Sequence, residues 1–190
     1  MMRLLKERAQ LAGYAQHDGL MIGLLWTASY LLSVRGYETQ LLVLFGTALG
    51  IYSLILIAKY LCRYRDTVCH GRTTFLLSWS YSMSIFFYAS LILATGIFIY
   101  YTFFDHGFVF NYLQKAYTLP EMQELLKTQG ITPKQLLDTY ASYRPIDFAM
   151  IGCLLSIMGG LVASIPIALF TRKDVSRELE KPHNNFWRII

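Results

Sequence analysis

Apolar residues in this chain gather in long, nearly unbroken runs separated by short charged stretches. The runs show neither the two-residue alternation of a half-buried strand nor the single stripe of a helix on a soluble core. Four can be read: residues 19–34 ("GLMIGLLWTASYLLSV"), 39–61 ("TQLLVLFGTALGIYSLILIAKYL"), 73–104 ("TTFLLSWSYSMSIFFYASLILATGIFIYYTFF") and 148–170 ("FAMIGCLLSIMGGLVASIPIALF"). A helix crosses a bilayer with about 20 mostly apolar residues. The first run is short and is expected to borrow from "LAGYAQ" before it. The third, as one helix, would rise about 48 Å, so its serine-rich start, with Trp79 and Tyr81, is expected at headgroup level. Backbone groups in lipid must bond within their own segment or in a closed barrel, and the ten-residue alternating segments of a barrel do not occur.

The predicted fold is therefore an all-α integral membrane protein with four transmembrane helices and a short helical segment between the third and fourth. The chain divides into an amphipathic N-terminus (1–18), helices one to three (19–104) with a basic loop at 62–72, a polar helical loop (105–147), a last span (148–170) and a basic tail (171–190). The first run is expected to be retained, because no small-x-small cleavage site follows it. In the 105–147 loop, "TLPEMQELLKTQG" and "ITPKQLLDTYASYRP" each read as a short helix, the second with Thr132 as cap and Pro133 at its first position. These are expected to form a small cap or a recognition surface.

Composition agrees: 55% of the 190 residues are hydrophobic and only 15% charged, where a soluble domain has about 25%. The distribution of the positive charges adds orientation. Arg3, Lys6 and Arg8 precede the first run, and Arg35 alone follows it. Lys59, Arg63, Arg65 and Arg72 lie between the second and third runs, and Arg172, Lys173, Arg177, Lys181 and Arg188 follow the last. Lys and Arg collect on the cytoplasmic side, which predicts both termini and the "RYRDTVCHGR" loop inside and 105–147 outside. Lys59, Arg63, Arg65, Arg72, Arg172 and Lys173 are expected to meet anionic headgroups; a partner-docking or phosphate-ligand role for the arginine cluster stays open.

Small residues carry a packing pattern. Gly152, Ser156, Gly160 and Ser164 are each four apart, with Gly159 and Ala163 widening the strip, and Gly46 and Gly50 repeat the spacing in the second run. Such strips let helix backbones approach in lipid, here expectedly within one chain. Pro166 would free the carbonyl of Val162 and kink the last helix.

Catalytic chemistry is sparse. Asp18 and His17 stand at the edge of the first span, with Asp18 expected to pair with Lys59 or Arg63 or to face water. The serines of the third run could line a polar path but are expected to bond to their own helix. Cys62, Cys69 and His70 lack a zinc spacing. Asp105, His106, Arg144 and Asp147 bracket the outer loop as loop-closing ion pairs or an acid/base set. No phosphate-binding, dinucleotide or hydrolase motif occurs, and no nucleic-acid motif stands behind the basic charge. No cofactor is expected.

The run of features "CHGRTTFLLSWSYS", "FIYYTFFDHGF" before a polar segment with acidic helices, and "GCLLSIMGGLVASIPIALFTRK" ending in a basic stop resembles the DUF4199 family over roughly residues 10–175. The resemblance implies a small four-helix protein of the bacterial inner membrane and supplies no catalytic residues. The expected function is a non-enzymatic multi-pass protein that assembles with or regulates a membrane partner, or forms a homo-oligomer. A small oligomeric transporter or lipid carrier is the alternative.

Overall fold

The computed structural model describes residues 2–37, 39–69, 73–128 and 130–171, with side chains from Leu11 onward. Expectations for His70, Arg72, Arg172, Lys173 and the rest of the tail lie outside the described residues, as do the side chains of Arg3, Lys6 and Arg8. Among the described residues the secondary structure is helical: α1 (Met2–Arg35), α2 (Gln40–Thr67), α3 (Phe75–Ile99) with a π-helical turn (Tyr100–Phe104), α4 (Phe108–Ala116), α5 (Pro120–Thr128), α6 (Pro133–Ser142) and α7 (Pro145–Thr171).

Three helices are long and apolar enough to cross a membrane: α2, α3 with its π-turn, and α7. These make the chain a membrane protein. α1 is not among them; its apolar run, residues 19–34, is short and bounded by Asp18 and Arg35. α1 takes in residues 2–18. With no proline to stop it, the helix runs unbroken through them into the first apolar run, a rise of about 51 Å.

α3 is central, packed between α1 and α7, and α2 lies on the other side of α1 with a light contact to α7. The buried face of α3 includes Ser78, Tyr81, Ser82, Ile85, Ala89 and Ile97. Tyr81 faces the bundle interior rather than lipid: its side chain is fully buried. α2 and α7 turn large apolar side chains outward; Leu44 is 64%, Leu155 67% and Val162 71% exposed. A soluble monomer rarely exposes contiguous apolar surface of this kind.

Small residues set the helix spacing. A Cβ on Gly46 would meet Ser33 Oγ at 2.4 Å and the Ser29 carbonyl oxygen at 2.8 Å, and Ser29 Oγ donates to the Gly46 carbonyl at 2.7 Å. Gly50 is looser, with Ser29 Oγ 3.7 Å from such a Cβ. On α7, Gly152 abuts Ile97 and Gly160 abuts Phe86, both of α3. Ser164 is buried and donates to the Leu161 carbonyl. Gly159 does not join this strip, since nothing lies within 4 Å of its added Cβ. The α1–α3 seam rests on glycines that the sequence reading passed over, Gly19 and Gly23 of α1 and Gly96 of α3. α7 runs through Pro166 to Thr171.

α1 and α2 are also tied by a hydrogen bond in which Trp26 Nε1 donates to the buried Ser53 Oγ at 2.8 Å. Ser53→Ala is expected to lower stability in detergent by about 0.6 kcal/mol, the usual scale of such bonds in membrane bundles. A reversible thermal or steric-trap unfolding measurement reads it, and no loss would show the bond to be idle.

Between α3 and α7 the chain forms three short helices rather than the two expected. α4 had no sequence cap signal of its own. Gly107, at φ +79°, turns the chain into it, and the cap comes from Asp105, whose carboxylate accepts from the amides of Gly107 (3.1 Å) and Val109 (3.2 Å). α6 begins at Pro133 with a reciprocal capping box between Thr132 and Gln135.

Candidate functional site

A polar cluster sits where α1, α2 and α3 meet, near the end of the bundle that carries the α2–α3 connection. Gly13, Tyr14, His17 and Asp18 follow one another on one side of α1, and Arg63 stands near the end of α2; together they line an open cleft of about 460 Å3. Asp18 is only 5% exposed. A buried carboxylate requires donors, and Asp18 has one from another helix: Tyr81 Oη of α3 donates to Oδ2 at 2.7 Å. His17 Nδ1 lies 3.2 Å from Oδ1. The Tyr81 ring is stacked on Tyr64 of α2, centroids 4.2 Å apart at 13°, and Tyr14 meets Tyr64 edge-on. Three helices therefore fix one carboxylate.

The structure separates the cationic residues of the α2 end. Lys59 and Arg63 are exposed, and Arg63 forms no ion pair among the described residues, so the expected pairing with Asp18 does not form. Tyr81 takes that place. Arg65, two residues on, turns the other way. Its guanidinium donates to the Thr171 carbonyl at the end of α7 at 2.8 Å and lies against Asp66. A cation at a helix C-terminus complements the exposed carbonyls there, so Arg65 ties α2 to α7 rather than standing open to headgroups.

The opposite end is aromatic. Tyr101 stacks on Phe148 at 4.3 Å, Tyr140 and Tyr143 lie against the same ring, and the Tyr30 hydroxyl donates to that of Tyr101 at 3.3 Å. Arg35 stands over Phe108, 5.0 Å from its centroid, within cation–π range. Tyr101, Tyr140, Tyr143 and Phe148, with Asp105, border a second cleft of about 380 Å3. The expected acid/base set does not assemble beside it. Asp105 caps α4, whereas Asp147 caps α7 by accepting from the Arg144 amide at 2.8 Å, with Arg144 Nε 3.6 Å away. Both carboxylates serve helix starts.

Burial, and next the neighbouring Tyr101 hydroxyl, push the Tyr140 phenol well above the ordinary tyrosine value. The protonated form is thus favoured in the fold. Its contribution to stability is complete below about pH 10, the unfolded tyrosine value, and is lost as pH rises beyond it. A spectrophotometric titration in detergent should show fewer phenolates above about pH 10 in the folded wild type than in the unfolded chain, and Tyr140→Phe should narrow that difference by one.

Ser156, expected to pack helices, lines a third cleft with Trp26, Ser29, Tyr30, Ser33 and Leu93 of α1 and α3. The serines of α3 divide: Ser84 and Ser90 bond to carbonyls of their own helix, while the buried hydroxyls of Ser78 and Ser82 have no hydrogen-bond partner among the described residues.

A family model described as "Protein of unknown function (DUF4199)" matches residues 17–173. That span begins at the His17–Asp18 pair and runs past the end of α7. No curated protein and no solved structure matches the chain.

Proposed function

This chain belongs to the DUF4199 family, and from that premise we propose that it is a non-catalytic, four-span protein of the bacterial inner membrane, with both termini in the cytoplasm, that assembles with a membrane partner. The observation that carries the reading is the division of its surfaces. Interior polar side chains tie helix to helix, as Asp18 to Tyr81, Trp26 to Ser53 and Arg65 to the end of α7. The outer side of α7 and that of α2 from Leu41 to Ile55 expose mainly large apolar side chains. α1 supports the fourth span, since it packs against both α2 and α3, two helices able to cross a membrane. Its buried acid Asp18 lies toward the end where the positive charges of the sequence collect, which supports the inward orientation.

Gentle extraction of the tagged full-length protein from its own membrane, with quantification of co-purifying proteins, tests the partner. One species at a fixed stoichiometry is expected, and a chain that emerges alone in every mild detergent overturns the assignment. Orientation has its own test. In a variant carrying Lys127→Cys, an impermeant maleimide applied to intact cells should label the new thiol in α5 and leave Cys69 unlabelled until the cells are opened. The reverse pattern inverts the topology.

The runner-up, a lipid carrier, gains support from the cleft between Asp18 and Arg63, where an acid and a base face the same space.

A further inference from the structure

We propose that the Asp18–Arg63 cleft binds a phospholipid headgroup carrying a primary ammonium and a phosphate, the chemistry of phosphoethanolamine. The inference rests on the reading that the helices span a bilayer, and is independent of any protein partner.

Three observations converge. First, the cleft holds opposite charges that do not neutralise each other: Asp18 and Arg63 both line it, yet no ion pair joins them among the described residues. Tyr81, itself anchored by the Tyr64 stack, holds the carboxylate against α3. A ligand bearing both charges meets each wall with its complement. Second, the capacity of each group fits. An ionised carboxylate offers about four acceptor positions; Tyr81 uses one and His17 lies at a second, leaving sites for ammonium N–H donors. Arg63 presents a guanidinium suited to gripping phosphate with two parallel bonds. Tyr14, 45% exposed on the cleft wall, offers a ring face to the methylenes beside the ammonium. Third, the depth is right. Tyr81, the partner of Asp18, lies six residues inside the start of α3 at Phe75, a rise of about 9 Å. In a bilayer whose hydrocarbon core of about 30 Å lies within about 40–45 Å overall, that is the border between acyl chains and headgroups. The volume of about 460 Å3 falls within the range of small-molecule sites, about 300–1,000 Å3.

This chemistry separates related lipids. A choline headgroup has no N–H to donate to Asp18, and a glycerol headgroup has no cation. Native mass spectrometry of the full-length protein, delipidated in detergent and offered equimolar phosphatidylethanolamine, phosphatidylcholine and phosphatidylglycerol, should show the first retained about tenfold over the other two, as one charge-assisted contact provides. Asp18→Asn, which can still accept from Tyr81, should bring the ethanolamine-to-choline ratio near one. Arg63→Gln, at an exposed position, should weaken all three alike. Competition by soluble O-phosphoethanolamine would make the headgroup alone sufficient; retention without competition would make the lipid the ligand, and either supports the site. Equal retention of the three lipids by the wild type, or an unchanged ratio in Asp18→Asn, overturns it. Should Asp18→Asn fail to fold, Arg63→Glu decides: phosphatidylethanolamine retention must fall about tenfold, and unchanged retention overturns the proposal. Lipid retention measured on the isolated chain can fail while the partner assay succeeds, and the reverse, so the two readings are judged separately.

Discussion

Gly23→Leu is expected to break the bundle. A Cβ at residue 23 would stand 2.6 Å from the Ile92 Cβ, 2.9 Å from the Ala89 carbonyl oxygen and 3.1 Å from the Ala89 Cα. Two of those atoms are backbone of α3 and cannot rotate away, so even alanine requires the helices to separate. Overpacking of that kind costs about 1–3 kcal/mol. Leucine adds three more carbons to the same gap, with Gly19 one turn earlier equally tight against the Tyr88 Cβ at 2.7 Å and the Ile85 carbonyl oxygen at 3.0 Å. A total stability of about 5–15 kcal/mol leaves little to absorb the change. The variant should lose its monodisperse peak in mild detergent and unfold many degrees earlier. Gly159→Leu is the matched control, because its added Cβ meets nothing within 4 Å; it should behave as wild type. Equal behaviour of the two variants would refute the close α1–α3 approach.

The contrast between Gly23 and Gly159 also shows what the sequence discloses. Spacing by four finds small residues on one helix side but not which side meets a neighbour. Gly159 and Gly160 are adjacent in the chain, a rotation of about 100° apart, and only Gly160 is covered, by Phe86. The same spacing at Gly19 and Gly23, "GLMIG", lies inside an apolar run that masks it. The helical, membrane-spanning character followed from run length alone, because lipid permits few alternatives. α1 was harder to delimit, since the apolar run begins at residue 19 while nothing before it stops a helix.

The site was half legible. Asp18 stands out as an acid at the start of an apolar run, but the sequence offers nearby cations as partners, and the pairing to Tyr81, 63 residues away, depends on how α1 and α3 are placed side by side. The placement of Tyr81 at the lipid interface followed a valid tendency of aromatic residues. The need of a buried carboxylate for a donor turns that side chain toward the bundle interior instead of toward lipid. Likewise, Arg63 and Arg65 are indistinguishable as members of a basic cluster. Two residues apart on a helix they point about 200° apart, so one faces the cleft and the other reaches α7.

Tyr81→Phe should therefore destabilise the protein through a single oxygen atom. The ring sits fully buried on Tyr64, and phenylalanine keeps that stack and its volume. What disappears is the donor to Asp18 Oδ2, leaving the buried carboxylate with His17 as its remaining side-chain neighbour. A hydrogen bond to a charged group contributes about 1.5–3 kcal/mol, and the loss is expected at the upper part of that range because water is largely excluded from Asp18. In an Asp18→Asn background the acceptor is neutral, so removing the hydroxyl should cost about 1 kcal/mol or less. The double-mutant cycle then returns a coupling of about 1–2 kcal/mol, readable from reversible unfolding of the four proteins in one detergent. If the two substitutions add within about 0.5 kcal/mol, the hydroxyl and the carboxylate are energetically independent. Coupling of the expected size would mean that the carboxylate is held by the Tyr81 hydroxyl of α3, on a cleft wall that Arg63 shares without pairing to it.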